Sequence, residues 1–114
     1  MSFILKYKKS FRARHHLLSY KGAPEEPHYH NYTLIVSIET NKKNKEGYTI
    51  DFMEIKNFID ELVPYENEDL NLKYPFLTST ENLAEYFFKE IAKIFSIKEV
   101  ELWQDENFCV IYRK

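Results

Sequence analysis

The sequence predicts an α+β fold in which two helices pack on one face of an antiparallel four-stranded sheet. Four stretches of the chain alternate polar and apolar side chains with a period of two, which is typical of half-buried strands. Two further stretches repeat apolar side chains at helical spacing. Their order is β-β-α-α-β-β with no internal linker, and helices on one face of an antiparallel sheet define the α+β class.

The strands come in two pairs of different length. The first pair, residues 3–15 and 28–40, is long. Odd positions of the first strand and even positions of the second carry most of the apolar side chains. A loop with Gly22 and two prolines joins these strands. The second pair is short, at about residues 100–104 and 108–112, and completes the sheet.

Each predicted helix begins at a capping residue and has one apolar side. Asp51 is placed to cap a helix over residues 52–62. A polar loop over residues 64–77 follows. The Thr-Ser-Thr segment at 78–80 offers N-caps for the second helix, whose apolar positions continue to Phe95.

Length and composition fit one globular domain, residues 1–114, in a cytoplasmic protein. Hydrophobic residues make up 44% and charged residues 30% of the chain, which is the usual balance of globular domains. The formal net charge of −2 argues against nucleic-acid binding, because neutralising phosphates requires clustered positive charge. A single cysteine, Cys109, excludes an internal disulfide and fits a reducing compartment. No apolar stretch resembles a signal peptide or a membrane span, so we expect no membrane partner.

Three histidines form a candidate metal site. His28 and His30 are two residues apart on one strand, so both side chains point to the same face. His15 ends the first strand on the apolar parity, and pairing of the two strands would bring it to the other two. Three imidazoles that leave one position open are typical of a catalytic zinc site.

A less specific interpretation of these histidines is also open. The His-x-His pattern is short, and it arises by coincidence when the rings are hydrogen-bonded to the backbone or to solvent. His16 follows His15 directly and should point to the opposite face. We interpret His16 as a structural residue or as one that supports the ligands.

Five blocks of residues stand in a specific order along the chain. They are Phe11-Arg-Ala-Arg-His15-His-Leu17; Lys21-Gly22 with Glu25 and His28-Tyr-His30-Asn-Tyr32; Gly47-Tyr-Thr-Ile-Asp51-Phe52 with Ile55-Lys56; Leu70-Asn71; and Thr78-Ser-Thr-Glu81-Asn-Leu-Ala84. In this order they resemble the motifs of the 6-pyruvoyl-tetrahydropterin synthase / 6-carboxy-tetrahydropterin synthase family. Each block alone is a weak signal, but together they are specific and cover nearly the whole chain.

This resemblance implies the tunnelling fold, in which subunits form a trimeric ring of strands and two rings stack into a hexamer. It implies that His15, His28 and His30 hold Zn²⁺, which acts as a Lewis acid on the side-chain hydroxyls of a substrate. The implied partners are other copies of the chain, as a trimer or a dimer of trimers, and a pterin such as 7,8-dihydroneopterin triphosphate. The implied pterin contacts are Gln104, Thr78, Ser79 and Thr80. Helix capping explains the three residues at 78–80 equally well and does not exclude contact with a ligand.

The chain departs from the family pattern at the positions of its chemistry. Pro24 stands where the family has a cysteine that acts as nucleophile or general base, and proline has no titratable group. Glu66 and Asn67 stand at the Asp-His pair of the family's proton relay, which asparagine cannot maintain. Gln104 replaces the glutamate that holds the pterin edge, so it offers one donor and one acceptor without the charge. Cys109 is expected to be a small core residue rather than a substitute for the missing thiol.

Three functional hypotheses follow. Glu25 and Glu26 lie in the loop that lacks the cysteine, and a carboxylate beside a metal-bound hydroxyl can act as a base, although such loop residues are often merely solvated. The first hypothesis is a zinc-dependent lyase whose candidate catalytic residues are Glu25, Glu26 and Glu66. Some relatives that this pattern resembles have a glutamate in place of the cysteine and cut the pterin side chain to give 6-hydroxymethyl-dihydropterin. The second hypothesis is a catalytically silent relative that binds zinc and a pterin. The third is a ring-forming scaffold that binds no metal.

Overall fold

A computed structural model describes all residues from 1 to 114 as a five-stranded sheet with three helices. None of the helices has the length and apolar character needed to cross a lipid bilayer. In chain order the elements are β1 (Phe3–His15), β2 (His28–Thr40), α1 (Phe52–Leu62), β3 (Glu68–Asp69), α2 (Leu70–Lys73), α3 (Thr80–Ala92), β4 (Ile97–Gln104) and β5 (Phe108–Arg113).

The four strands β1, β2, β4 and β5 form the antiparallel sheet that the sequence predicts. The spatial order is β3-β1-β2-β4-β5, and every neighbouring pair is antiparallel except β1 and β3. The β1–β2 pairing is unbroken from Phe3 opposite Thr40 to His15 opposite His28. This long hairpin therefore determines which side chains meet at each end of the sheet.

The prediction of a plain polar loop over residues 64–77 was wrong. This segment contains β3, which pairs in parallel with β1 at Ala13 and Arg14, and the single-turn helix α2. Asp69 caps α2 by accepting the Asn71 N–H at 3.0 Å, and Leu70 is fully buried. The sheet is therefore mixed and five-stranded rather than antiparallel and four-stranded. These two elements are too short for a periodic pattern to reveal them.

The helix caps lie where the sequence predicts, but the second long helix ends early. The Asp51 side chain accepts the Met53 N–H at 2.9 Å, and Ser79 accepts the Asn82 N–H at 3.1 Å. Each bond satisfies one of the donors that the first turn of a helix leaves free. α3 ends at Ala92, so Phe95, predicted to continue its apolar side, lies in the turn before β4.

One hydrophobic core fills the space between the sheet and the helices. Tyr32, Leu34 and Val36 of β2 are fully buried, and Phe11 of β1 stacks on Tyr32 with 5.2 Å between ring centroids. These residues lie on the same face of the sheet as the histidines. Cys109 does not join this core, contrary to expectation: it lies partly buried opposite Trp103 on the other face.

A polar contact fastens α1 to β1. The Tyr7 hydroxyl donates to Asp60 Oδ1 at 2.6 Å, and Lys56 and Lys9 also face this carboxylate. Partial burial and the hydrogen bond to Asp60 raise the pKa of Tyr7 to about 12. Tyr7 therefore stays protonated, as a donor, at neutral pH.

Replacing Phe87 should test the packing of α3 against the hairpin. Phe87 is fully buried and meets the Phe11 ring edge-on at 6.1 Å. Phe87→Ala should lower the free energy of unfolding by about 3–5 kcal/mol, because it removes a large buried ring and leaves a cavity. Leu72→Ala is the control, since Leu72 is 87% exposed, and should cost less than about 0.5 kcal/mol. Urea unfolding at matched protein concentration measures both values, and similar losses would contradict this account of the core.

Candidate metal centre and active site

Three histidine rings meet at one end of the β1–β2 hairpin. The register places His15 opposite His28, and Ala13 opposite His30. The three ring centroids are 4.7 to 5.1 Å apart, and one nitrogen from each ring lies within 4.8 Å of the others. His15 is buried, whereas His28 and His30 are half-buried, so the cluster opens toward solvent on one side.

Each ring is oriented by an oxygen atom that lies against its Nδ1. The three contacts are from His15 to the Thr78 carbonyl at 2.8 Å, from His28 to the Glu26 carbonyl at 2.7 Å, and from His30 to Asp105 Oδ2 at 2.7 Å. Carbonyl and carboxylate oxygens only accept hydrogen bonds, so each Nδ1 carries the proton. The Nε2 lone pairs are left free, which is the arrangement found in metal-binding histidines.

The donor set fits Zn²⁺. Three neutral imidazole nitrogens with a further open position match the ligands of catalytic zinc sites. Burial lowers the pKa of His15, against the opposing effect of the Thr78 carbonyl. This shift favours the neutral ring, which is the form that binds a metal.

Asn71 ties the end of β1 to the segment that orients His15. Its side-chain oxygen accepts the His16 N–H and the Thr78 hydroxyl, both at 3.0 Å, and its amide nitrogen donates to the His16 carbonyl at 2.9 Å. The Thr78 side chain is buried. Asn71 therefore fixes the backbone on both sides of the His15 contact. The sequence signal for Asn71 is its place in the Leu-Asn block, but the role depends on α2, which periodicity misses.

Asp105 is a site residue that sequence reasoning missed. It lies in the turn between β4 and β5 and has a left-handed backbone, with φ 54°. Its Oδ1 accepts the Asn31 N–H at 3.0 Å, and its own N–H donates to the Asn31 carbonyl at 2.7 Å. Despite partial burial, the bonds from Asn31 and His30 hold the pKa of Asp105 below its ordinary value. An acid in a strand turn resembles a solvated loop residue, so no sequence signal pointed to it.

The two loop glutamates have different surroundings. Glu25 is half-buried, and it bonds Leu17 twice: its N–H donates to the Leu17 carbonyl at 3.0 Å, and its Oε1 accepts the Leu17 N–H at 2.8 Å. Burial dominates at both neighbouring rings, lowering the pKa of His15 and raising that of Tyr32, and the charge of Glu25 adds a small contribution that favours the protonated form of each. Glu26 is exposed, and only its backbone carbonyl contacts a histidine. Of the two carboxylates, Glu25 is thus held toward the cluster.

Glu66 is not a member of the histidine cluster. It is exposed, between α1 and β3, and its side chain makes no hydrogen bond or ion pair. The neighbouring Asn67 has a left-handed backbone with φ 64° and is joined to Arg12 by two hydrogen bonds. Asn67 thus positions the loop along β1.

The predicted pterin contacts divide into two groups. Thr78 and Ser79 have structural partners, since Thr78 orients His15 and Ser79 caps α3. The Thr80 hydroxyl instead donates to Gln104 Oε1 at 2.9 Å. This bond joins the start of α3 to the end of β4 and fixes the Gln104 amide near the histidine end of the sheet, where Gln104 lies opposite Tyr32.

The Tyr32 ring, which carries a hydroxyl, lies beside the histidines. Its ring lies 5.8 Å from the His30 ring and 6.2 Å from the His15 ring. The hydroxyl is buried and has no hydrogen-bond partner within the protein. Burial raises the pKa of Tyr32, with smaller contributions from Asp105 and Glu25. The phenol therefore stays protonated at neutral pH.

Comparisons with known proteins agree on one family. A family model described as 6-pyruvoyl tetrahydropterin synthase matches residues 4–114. The chain is 31% identical over 109 residues to a dihydroneopterin monophosphate aldolase of Pyrococcus furiosus, which covers 91% of each chain.

Solved structures show the same fold. A 6-pyruvoyl tetrahydropterin synthase of Caenorhabditis elegans superposes with a TM-score of 0.84, at 17% identity over 100% of this chain and 96% of the other. A Plasmodium vivax 6-pyruvoyltetrahydropterin synthase, solved with a catalytic glutamate replaced by alanine, gives a TM-score of 0.74 at 16% identity over 100% and 98% of the two chains. Since the family match spans nearly the whole chain, this protein belongs to the 6-pyruvoyl tetrahydropterin synthase family.

Proposed function

We propose that this protein is a zinc-dependent lyase that cleaves the side chain of a phosphorylated 7,8-dihydroneopterin, an aldolase-type reaction. The observation that carries the proposal is the orientation of the three histidines, each with its Nδ1 held by an oxygen and its Nε2 free. The family supports a pterin substrate. The aldolase of Pyrococcus furiosus, at 31% identity, supports carbon–carbon cleavage.

His15, His28 and His30 would hold the zinc through Nε2. When bound, the metal would supply Lewis-acid polarisation of the side-chain hydroxyls of the substrate, which makes their protons easier to remove. The oxygens on Nδ1 keep the three rings in place before any metal arrives. Such support reduces the conformational freedom that metal binding would otherwise have to remove.

Glu25 is the proposed base. In aldol-type cleavage the base removes the proton of the second side-chain hydroxyl, and that oxygen forms a carbonyl as the bond between the first and second side-chain carbons breaks. The released electron pair moves into the conjugated pterin ring, and a proton then adds to the first side-chain carbon. Glu25 has one carboxylate oxygen bonded to Leu17 and a second one free to take the first proton.

The loop sequence favours a carboxylate over a cysteine as the catalytic side chain. Pro24 stands at the cysteine position and has no group that titrates. A glutamate is described as a catalytic residue in the Plasmodium vivax synthase, which supports a catalytic role for a glutamate here. Glu26 is a weaker candidate because its side chain is exposed and only its carbonyl has a partner at the cluster.

Gln104 is the proposed contact for the pterin ring. Its Oε1 accepts the Thr80 hydroxyl, which leaves the two amide hydrogens and the second lone pair of the oxygen for a ligand. A donor beside an acceptor complements a ring edge that presents an N–H beside a carbonyl. Binding would thus use neutral hydrogen bonds in place of the charged contact that a glutamate makes.

Glu66 completes the proposed site only if a second copy of the chain is present. It is exposed and makes no polar contact within its own chain. The edge strand β5 also exposes Phe108 and Ile111, and an unpaired strand edge is a ready surface for another strand. We therefore include a homo-oligomer, a trimer or a dimer of trimers, with Glu66 reaching a neighbouring site.

Metal analysis tests the ligand set. Protein purified without a nickel column and dialysed after zinc loading should contain about one zinc per chain, measured by inductively coupled plasma mass spectrometry. His28→Ala should lose most of this zinc because one of three ligands is gone. His16→Ala is the matched control and should keep it. A wild-type protein without zinc after loading would contradict the proposed function.

A product assay tests the reaction and its base. Zinc-loaded protein is incubated with 7,8-dihydroneopterin monophosphate or triphosphate, and the oxidised pterins are separated by chromatography. We expect 6-hydroxymethylpterin. Glu25→Gln should lower kcat by about 10²-fold or more, the usual worth of a general base, while zinc content and folding are retained. Glu26→Gln should lose less than about threefold, since its carbonyl contact to His28 remains.

Other outcomes of this assay decide between the alternatives. A 6-pyruvoyl or 6-carboxy product would replace the cleavage reaction by the family's synthase chemistry. Unchanged substrate with zinc bound would favour the silent, pterin-binding relative. The four altered positions Pro24, Glu66, Asn67 and Gln104 support that alternative. An equal loss of kcat in Glu25→Gln and Glu26→Gln would contradict the proposal that Glu25 is the base.

A binding titration tests Gln104. Gln104→Ala should weaken the binding of 6-hydroxymethylpterin by about tenfold, because losing the hydrogen bonds of one side chain costs about 1.5 kcal/mol. Zinc content should not change. Quenching of pterin fluorescence measures the Kd. The control is Asn107→Ala, an exposed position in the turn between β4 and β5. Equal Kd values for Gln104→Ala and the wild type would contradict the role.

A further inference from the structure

Asp105 differs from the other two groups that orient the histidines. Thr78 and Glu26 contribute backbone carbonyls, which are neutral and present in any sequence. Asp105 contributes a side-chain carboxylate, at 2.7 Å from His30 Nδ1. It is therefore the one anionic acceptor in the set and the one that a substitution can remove, since the other two acceptors belong to the backbone.

Three contacts hold this carboxylate in place although the side chain is 46% exposed. Oδ1 accepts the Asn31 N–H and Oδ2 faces His30, so each oxygen has a partner. The Asp105 N–H bonds back to the Asn31 carbonyl at 2.7 Å. An exposed surface aspartate would normally rotate freely, whereas this one is fixed at both oxygens and at the backbone.

The backbone at Asp105 is shaped to make these contacts. Its φ of 54° lies in the left-handed region, which costs free energy for residues other than glycine and is best tolerated by aspartate and asparagine. Gln104, the last residue of β4, directly precedes this turn and is bonded to Thr80. Two consecutive residues at the end of β4 and the start of the turn are therefore held in place, Gln104 by the start of α3 and Asp105 by His30 and Asn31.

We infer that Asp105 is a positioning residue that fixes the Nδ1–H tautomer and the ring orientation of His30 and so strengthens metal binding. This inference rests on the proposed function, since it takes His30 as a ligand. A carboxylate on Nδ1 makes the opposite nitrogen a better electron donor to a cation. Removing it frees the ring to rotate and to carry its proton on Nε2, the nitrogen that the metal needs.

The test uses the full-length protein and two measurements. The tautomer of each histidine is read from long-range ¹H–¹⁵N NMR spectra of the metal-free protein, at a pH where the rings are neutral. The zinc Kd is measured by competition with a chromophoric chelator. The variants are Asp105→Ala and Asp105→Asn. The control is Glu106→Ala, which removes the same charge from an exposed neighbour without hydrogen bonds or ion pairs.

In the wild type we expect His30 to be protonated at Nδ1. Asp105→Ala should shift His30 toward the Nε2–H form and raise the zinc Kd by about 10–100-fold, the usual effect of removing a ligand's carboxylate partner. Asp105→Asn keeps an acceptor oxygen, so it should keep the Nδ1–H tautomer and show a smaller rise in Kd. Glu106→Ala should change neither measurement.

The outcomes separate this inference from the proposed function. If the wild type binds zinc and Asp105→Ala binds it equally well with His30 still in the Nδ1–H form, the inference is overturned and the proposed function stands. If the wild type binds no zinc, the proposed function fails and the inference fails with it. If Asp105→Ala does not fold, Asp105→Asn decides: a Kd equal to that of the wild type overturns the role of the charge.

Discussion

The register of the β1–β2 hairpin is the constraint on which the candidate site depends. Side chains alternate between faces along a strand, so a slip of one residue would move His28 and His30 to the opposite face from His15. The core prevents this slip. Phe11 stacks on Tyr32, and the next even positions of β2, at 34 and 36, are fully buried. A slip would expose these apolar side chains, at about 1.5–3 kcal/mol for each one. Packing along the hairpin thus fixes the histidines at its end.

The strand register brings the three histidines to one end of the sheet, but it does not orient their rings. The orientation of the rings depends on tertiary contacts. The acceptors on Nδ1 come from the loop before β2, from the segment before α3 and from the turn after β4. These three segments are far apart in sequence, and they converge because α3 packs across β4 and β5. Asn71 adds a further link by bonding both Thr78 and His16, the residue that follows β1. The free Nε2 atoms are thus a property of the whole fold.

The sequence predicts the parts of this structure that depend on repeated patterns. Both long strands have the predicted bounds, since many alternating positions support each one, and Asp51 and Ser79 act as caps because capping is local. The elements β3 and α2 were missed because two and four residues cannot show a period. Asp105 was missed for a different reason. Its role is created by contacts with β2, which lies more than seventy residues earlier, and no local pattern encodes such a contact.

Pro24, the altered position in the loop before β2, is consistent with the geometry of the residues that follow it. Pro24 removes the side chain that the family uses, but a proline also restricts the unfolded chain, and Pro27 does the same on the other side of the glutamate pair. Between them, Glu25 is bonded to Leu17 through its backbone and its side chain, while the carbonyl of Glu26 holds His28. The same two residues thus fix a carboxylate beside the cluster and orient one of its rings. The Glu26 carbonyl would serve zinc binding under either hypothesis, whereas a carboxylate fixed beside the cluster is needed only for catalysis. The position of Glu25 therefore favours the lyase proposal over the silent relative.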